Sequence, residues 1–150
     1  EFAHCDLEAF SEKIKTAKRV LIIGDNAGET VFDRLFIQRL KPIPVWYAVR
    51  NQPVINDATY EDAVMSGVHE DAEIISTGCS APGAVLRMCS QEFIERFYEA
   101  DVVISKGQGN YEALSEVDRE IYFLLKVKCP VISTKMAIPL NSYVFMKRAP

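Results

Sequence analysis

Histidine is scarce in this chain: 150 residues carry two, His4 and His69, and both are badly placed to serve a catalytic nucleophile. A serine or cysteine hydrolase needs a histidine to activate its nucleophile, so that chemistry is set aside. Four cysteines stand at 5, 79, 89 and 129, and no two are spaced C-x-x-C. With so few nitrogen and sulfur ligands, a closed zinc site is not expected. The cysteine spacing shows no disulfide framework either, which predicts reduced thiols and a cytoplasmic protein. No apolar run approaches the ~20 residues that cross a bilayer. With 17 basic and 21 acidic residues the net charge is −4, so the basic surplus of a nucleic-acid binder is missing. Two glycine signatures are absent as well. There is no G-x-x-x-x-G-K-[ST], hence no P-loop, and no G-x-G-x-x-G, hence no dinucleotide fingerprint.

What the chain does have is alternation. Short runs rich in β-branched residues, "RVLIIG" (19–24), "PVWYAV" (44–49), "AEIIST" (72–77), "DVVISK" (101–106) and "CPVIST" (129–134), predict strands, with "SYVFMK" (142–147) as a weaker sixth. The first five are nearly continuously apolar, as strands covered on both faces are. Helices are predicted over 6–17, 28–40, 59–67, 90–100 and 116–128. In 28–40, Val31, Phe32, Leu35, Phe36 and Leu40 make the expected inward stripe. In 90–100, Ser90 is the expected N-cap. Strand–helix alternation at this spacing predicts one domain over 1–150, an α/β fold with a doubly wound, mostly parallel sheet and helices on both faces.

The polar residues fall where such a fold can use them. "GDNAGE" follows the first strand, "RNQPVINDAT" the second, "STGCSAPG" the third and "KGQGN" the fourth. In an open parallel sheet these loops gather at the carboxyl edge, where ligands bind. Asn26 and Glu29 also fit a helix-capping pattern, and Asp57 fits a turn. Capping does not require Asp25. Together, Asp25 and Asp57 offer two anionic oxygens and Asn26 a neutral one, a donor set suited with water to a hard divalent cation such as Mg²⁺ or Mn²⁺. Lys106 adds a separate positive point suited to phosphate. Backbone N–H groups around Gly78, Gly107 and Gly109 could hold phosphate oxygens near helix starts.

"GDNAGE", "INDAT", "STG…PG", "KGQGNYE" and "FLLKVKC", in that order, resemble the damage-control phosphatase family, ARMT1-like, formerly domain of unknown function 89. The resemblance runs from about residue 5 to the end, closest to the stand-alone microbial branch. It implies a metal-dependent phosphatase acting on small phosphomonoesters such as sugar phosphates, supported by Mn²⁺, Co²⁺, Ni²⁺ or Mg²⁺. It implies Asp25, Asn26 and Asp57 as metal ligands and Lys106 as a phosphate contact, with Glu29, Gly107, Gly109 and Asn110 in matching motifs. Members often carry an acid near the position of Ser80, which this chain lacks, and a helical N-terminal region that the 150 residues do not include. The alternative expectation is a phospho-ligand or nucleotide binding module without turnover; a third is an interaction domain whose polar loops only cap helices.

Overall fold

A computed structural model describes residues 2–150. Among them, seven strands form one sheet in the order β1-β7-β6-β5-β2-β3-β4. They are β1 (Phe2–Cys5), β2 (Val20–Ile23), β3 (Val45–Val49), β4 (Glu73–Ser76), β5 (Val102–Lys106), β6 (Ile121–Lys126) and β7 (Tyr143–Arg148). The five strands from β6 to β4 run parallel. β7 pairs antiparallel with β6 and parallel with β1. The helices are α1 (Leu7–Ile14), α2 (Thr30–Leu40), α3 (Tyr60–Met65), α4 (Gln91–Glu99), α5 (Gln108–Leu114) and α6 (Pro130–Met136).

Why the central strands read as unbroken apolar runs is visible in their packing. Leu21, Ile23, Trp46, Ala48 and Val103 point into one layer with Phe93, Phe97, Leu114 and Ile132. Their neighbours Val20, Ile22, Val45, Tyr47, Val102 and Ile104 point into the other, with Phe10, Ile37, Leu40 and Ala63. Each strand is therefore covered twice, and alternation of polarity has no face to appear on. Helix starts follow local chemistry. Ser90 Oγ accepts from the Phe93 N–H at 3.2 Å, as expected. Thr59 and Asp62 close a reciprocal capping box on α3.

Three expectations fail. Residues 116–128 are not a helix; they contain β6. Residues 129–134 are not a strand; they open α6, with Pro130 in its first turn. "IYFLLK" is a short apolar run buried on both faces, whose spacing alone fits helix and strand equally. Pro130 was the usable signal, because proline at the first helical position gives up only an N–H that has no partner there. In α2 the helix is where it was expected but turned. Val31, Phe32 and Leu35 are exposed, at 54%, 71% and 56%, while Thr30, Asp33, Ile37 and Leu40 are buried. A charged residue occupies the inward stripe, and its partners lie across the sheet.

The strand order reverses once. From β2 the chain winds outward through β3 and β4, returns to β5 on the other side of β2, and continues to β6. The loops leaving β2 and β5 therefore diverge, and a crevice opens between the carboxyl ends of the two strands.

Candidate functional site

The loops after β2 and β3 are laced together by their backbones. Ala27 N–H donates to Asn56 O at 2.8 Å, Ala58 N–H donates to Asp25 O at 2.7 Å, and Asn26 and Asp57 form an isolated antiparallel bridge. Residues 31 and 32 positions apart in sequence, Asp25 and Asn26 on one side and Asp57 on the other, thus arrive at one place. Asn26 does not cap a helix with its side chain. Its Nδ2 donates to Asp25 Oδ2 at 3.1 Å and to Glu29 Oε1 at 2.7 Å, and its Oδ1 accepts from Asn56 Nδ2 at 2.7 Å. The N-x-x-E pattern therefore serves a side-chain bridge between two acids.

Charge immediately around Asp25 is unbalanced. Burial, then the neighbouring carboxylates of Glu29 and Asp57, push Asp25 up to about 6; Lys106 and Arg50 offset this only in part. Asp57 is anchored from behind: the buried Arg50 donates Nε to its Oδ2 at 2.7 Å. Among the described residues no protein donor reaches Oδ1 of Asp25 or of Asp57. Two open carboxylate oxygens beside an amide oxygen, with anionic charge in excess, fit a hard divalent cation completed by water. Among the described residues no group of three or more His, Cys, Asp or Glu side chains is arranged to hold a metal ion, so the candidate donor set is limited to two carboxylates and an amide.

Gly107 makes the arrangement possible. Its φ is +85°, and a Cβ there would stand 2.2 Å from the Asp25 carboxyl. The carboxylate of β2's loop rests on the bare backbone of β5's loop.

Lys106, at the end of β5, is nearly buried. Its Nζ meets Glu29 Oε2 at 2.5 Å and Asp33 Oδ1 at 2.6 Å. Burial pulls the ammonium's pKa down, but the two carboxylates more than restore it, so it lies above that of an ordinary lysine. Asp25, Glu29, Asp33 and Lys106 all line one cleft of about 450 Å³, walled further by Lys126 and Lys128 and by the apolar side chains of Phe32, Phe36 and Leu124.

Asn110, Gly109 and Gly78 are placed differently from the expectation. Asn110 is fully buried; its Nδ2 donates to Gly24 O at 3.0 Å and Lys106 O at 2.6 Å, and its Oδ1 accepts from Arg50 at 3.0 Å and Ala84 N–H at 2.9 Å. With every donor and acceptor used, it ties β2, β5 and the loop at Ala84 together and has nothing left for a substrate. Gly109 lies against Pro82, 2.5 Å from where its Cβ would be. Gly78 turns against Ser90 at the start of α4 and does not line the cleft. Of the expected substrate-side residues, the structure brings Glu29, Lys106 and Gly107 to the cleft.

Sequence reading missed Asp33, Tyr47, Arg50, Lys126 and Lys128. Arg50 carried a signal: like Lys106, it is a charged residue directly at the carboxyl end of an apolar strand. Asp33 lies four residues after Glu29 and eight after Asp25, one acid per helical turn, but an apolar stripe beside it was the stronger pattern.

Comparison with known proteins gives the family and the fold. The sequence model of the damage-control phosphatase ARMT1-like domain matches residues 1–144. A damage-control phosphatase of Pyrococcus horikoshii is 42% identical over 146 residues, covering 95% of this chain and 51% of that protein. A damage-control phosphatase of Archaeoglobus fulgidus is 34% identical over 140 residues, covering 89% and 49%. The crystal structure of a DUF89 family protein from Pyrococcus horikoshii superposes with a TM-score of 0.94 at 40% identity, over 98% of this chain and 53% of that one. The chain thus spans about half the length of the relatives it matches.

Proposed function

The chain belongs to the damage-control phosphatase ARMT1-like family, and from that premise we propose that it carries the catalytic edge of a metal-dependent phosphatase for small phosphomonoesters such as sugar phosphates. The observation that supports this most is the excess of carboxylate around Asp25, set directly across the β2–β5 crevice from Lys106.

Asp25, Asn26 and Asp57 would hold the cation, Mn²⁺, Co²⁺, Ni²⁺ or Mg²⁺. When bound, it supplies a Lewis acid that draws charge from the phosphoryl oxygens. The chain's own residues do the rest. Arg50 fixes the Asp57 carboxylate, so one oxygen is oriented without cost at the moment of binding. Lys106 presents a cation to a phosphate oxygen at the end of a rigid strand. Gly107 lets that loop approach Asp25 closely. Phe32, Phe36 and Leu124 exclude water from one wall, which strengthens every charge interaction beside them.

The expected partner is a small phosphate ester and the expected location the cytoplasm. No helix among the described residues is long and apolar enough to cross a membrane. The helical N-terminal region expected from the resemblance would suit the exposed apolar face of α2 formed by Val31, Phe32 and Leu35.

The test is hydrolysis of a panel of sugar phosphates and nucleotides by the complete protein, with Mn²⁺ or Co²⁺ and with EDTA. Turnover that needs the ion and disappears in Asp25→Ala supports the reading. Metal-independent phosphate binding without turnover makes the chain a binding module instead.

A further inference from the structure

Lys106 is not a free surface amine. Its side chain is 10% exposed and its ammonium has two carboxylate partners of different character. Glu29 stands at the mouth with 40% of its side chain exposed. Asp33 is 6% exposed and reaches Lys106 from the inward face of α2. The second oxygen of Asp33 is itself held: Tyr47 Oη, fully buried on β3, donates to Oδ2 at 2.6 Å. Space for that hydroxyl is made at Gly24, where a Cβ would stand 2.7 Å from Tyr47 Oη. The chain of contacts thus runs from β3 through α2 to the end of β5, and every link is buried.

We propose that Asp33, aligned by the Tyr47 hydroxyl, is the positioning residue for Lys106, holding its ammonium charged and in one place at the mouth of the crevice. The proposal rests on the phosphatase reading only for what Lys106 then does. The physical case is threefold. A buried charge without a partner is strongly disfavoured, so a lysine at this depth needs a permanent counter-ion. A free lysine loses rotamer entropy when it binds a phosphate, whereas one already fixed by Asp33 loses little. An ammonium has three donors; Asp33 and Glu29 take two, and the third is left for a ligand oxygen. This also explains why α2 turns a charged residue inward and leaves Val31, Phe32 and Leu35 outside.

The experiment compares the complete protein with Asp33→Asn, Tyr47→Phe, and each of these combined with Lys106→Met. Two quantities are read: binding of inorganic phosphate by calorimetry at saturating Mn²⁺, and the rate at which an amine-reactive acylating reagent labels Lys106, followed by peptide mass spectrometry. Asp33→Asn should weaken phosphate binding about tenfold and speed Lys106 labelling by a similar factor, with Mn²⁺ affinity unchanged. Tyr47→Phe should do both to a lesser degree, about threefold. In the Lys106→Met background neither substitution should weaken phosphate binding further, because their only route to it is gone. Equal losses with and without Lys106, or labelling unchanged in both single variants, overturn the proposal. If labelling responds but the parent binds no phosphate at all, the positioning stands and the phosphatase reading falls. Should Asp33→Asn fail to fold, Tyr47→Phe, which removes one hydroxyl, carries the same comparison.

Discussion

Polar side chains crowd two adjoining places on the carboxyl edge of the sheet, and the two differ in how their charges are met. Behind the crevice, Arg50 and Asn110 join Asp57, Ala84 N–H, Gly24 O and Lys106 O into a knot in which almost every group has its partner. One Arg50 nitrogen, Nη1, is the exception. In front, Asp25, Glu29 and Asp33 stand around Lys106 and Asp57 stands beside Asp25, with open oxygens on Asp25 and Asp57. Polarity at a sheet edge is common to both places. Satisfied polarity builds scaffold, and unmatched charge on a rigid scaffold builds a site.

The largest effects should come from the front. Asp25→Ala is expected to abolish metal-dependent hydrolysis, a loss on the order of 1,000-fold or more. Gly107→Ala should match it without touching a polar group, since the new methyl would occupy the Asp25 carboxyl's position. If Gly107→Ala keeps parental rates with Mn²⁺, the crevice is not where the chemistry occurs.

Behind the crevice the expectation reverses: stability changes more than chemistry. Asn110→Ala strands two buried carbonyls, an Arg50 nitrogen and the Ala84 N–H. The cost should be about 3 kcal/mol, a fall of roughly 6–12 °C in the thermal midpoint. Mn²⁺ affinity measured well below that midpoint should change less than about threefold. A large loss of metal affinity with an unchanged midpoint would erase the distinction between the two places.

Acid should separate them more gently. In the folded chain Asp25 titrates near 6, above its ordinary 3.8. The folded state therefore takes up this proton before the unfolded state does. In EDTA, Asp25's contribution makes the chain more stable as pH falls from 7 towards 4, and that gain is lost as pH rises through 6. With Mn²⁺ present the carboxylate has its counter-charge, and the ion's affinity should drop about tenfold per pH unit below 6. Thermal melts across this range, with and without Mn²⁺, read both effects. Identical slopes in the two series would mean that Asp25 does not meet the ion.

The smallest effect is expected outside both places. Leu35→Ser on the exposed face of α2 should alter the stability of these 150 residues by less than about 0.5 kcal/mol. A larger loss in the complete protein would show that another segment covers this face.

Much of this was legible in the primary structure because strand ends are. An apolar run broken by "GDN", "RNQ" or "KGQ" marks its own carboxyl terminus, and parallel topology then gathers those termini. That placed Asp25, Asn26, Glu29, Asp57 and Lys106 together without coordinates. Where one-dimensional patterns failed, two partners competed for the same positions. "IYFLLK" suited a helix by spacing and a two-faced strand by composition, and pairing with β5 and β7 decided it. On α2, hydrophobic spacing pointed to Val31, Phe32 and Leu35, and an ion pair to β5 overruled it.

The sequence by itself determined the layered α/β architecture and the loops that carry the candidate donors, because burial on two faces and loop polarity are local properties of the chain. Only the tertiary structure decided which of those donors are spent on each other and which remain free: Asn110 closed into the scaffold, Asp33 turned inward to Lys106, Asp25 left short of positive charge. Hydrogen bonds and ion pairs between segments tens of residues apart leave no periodic trace in the chain, and their distances exist only after the sheet has formed.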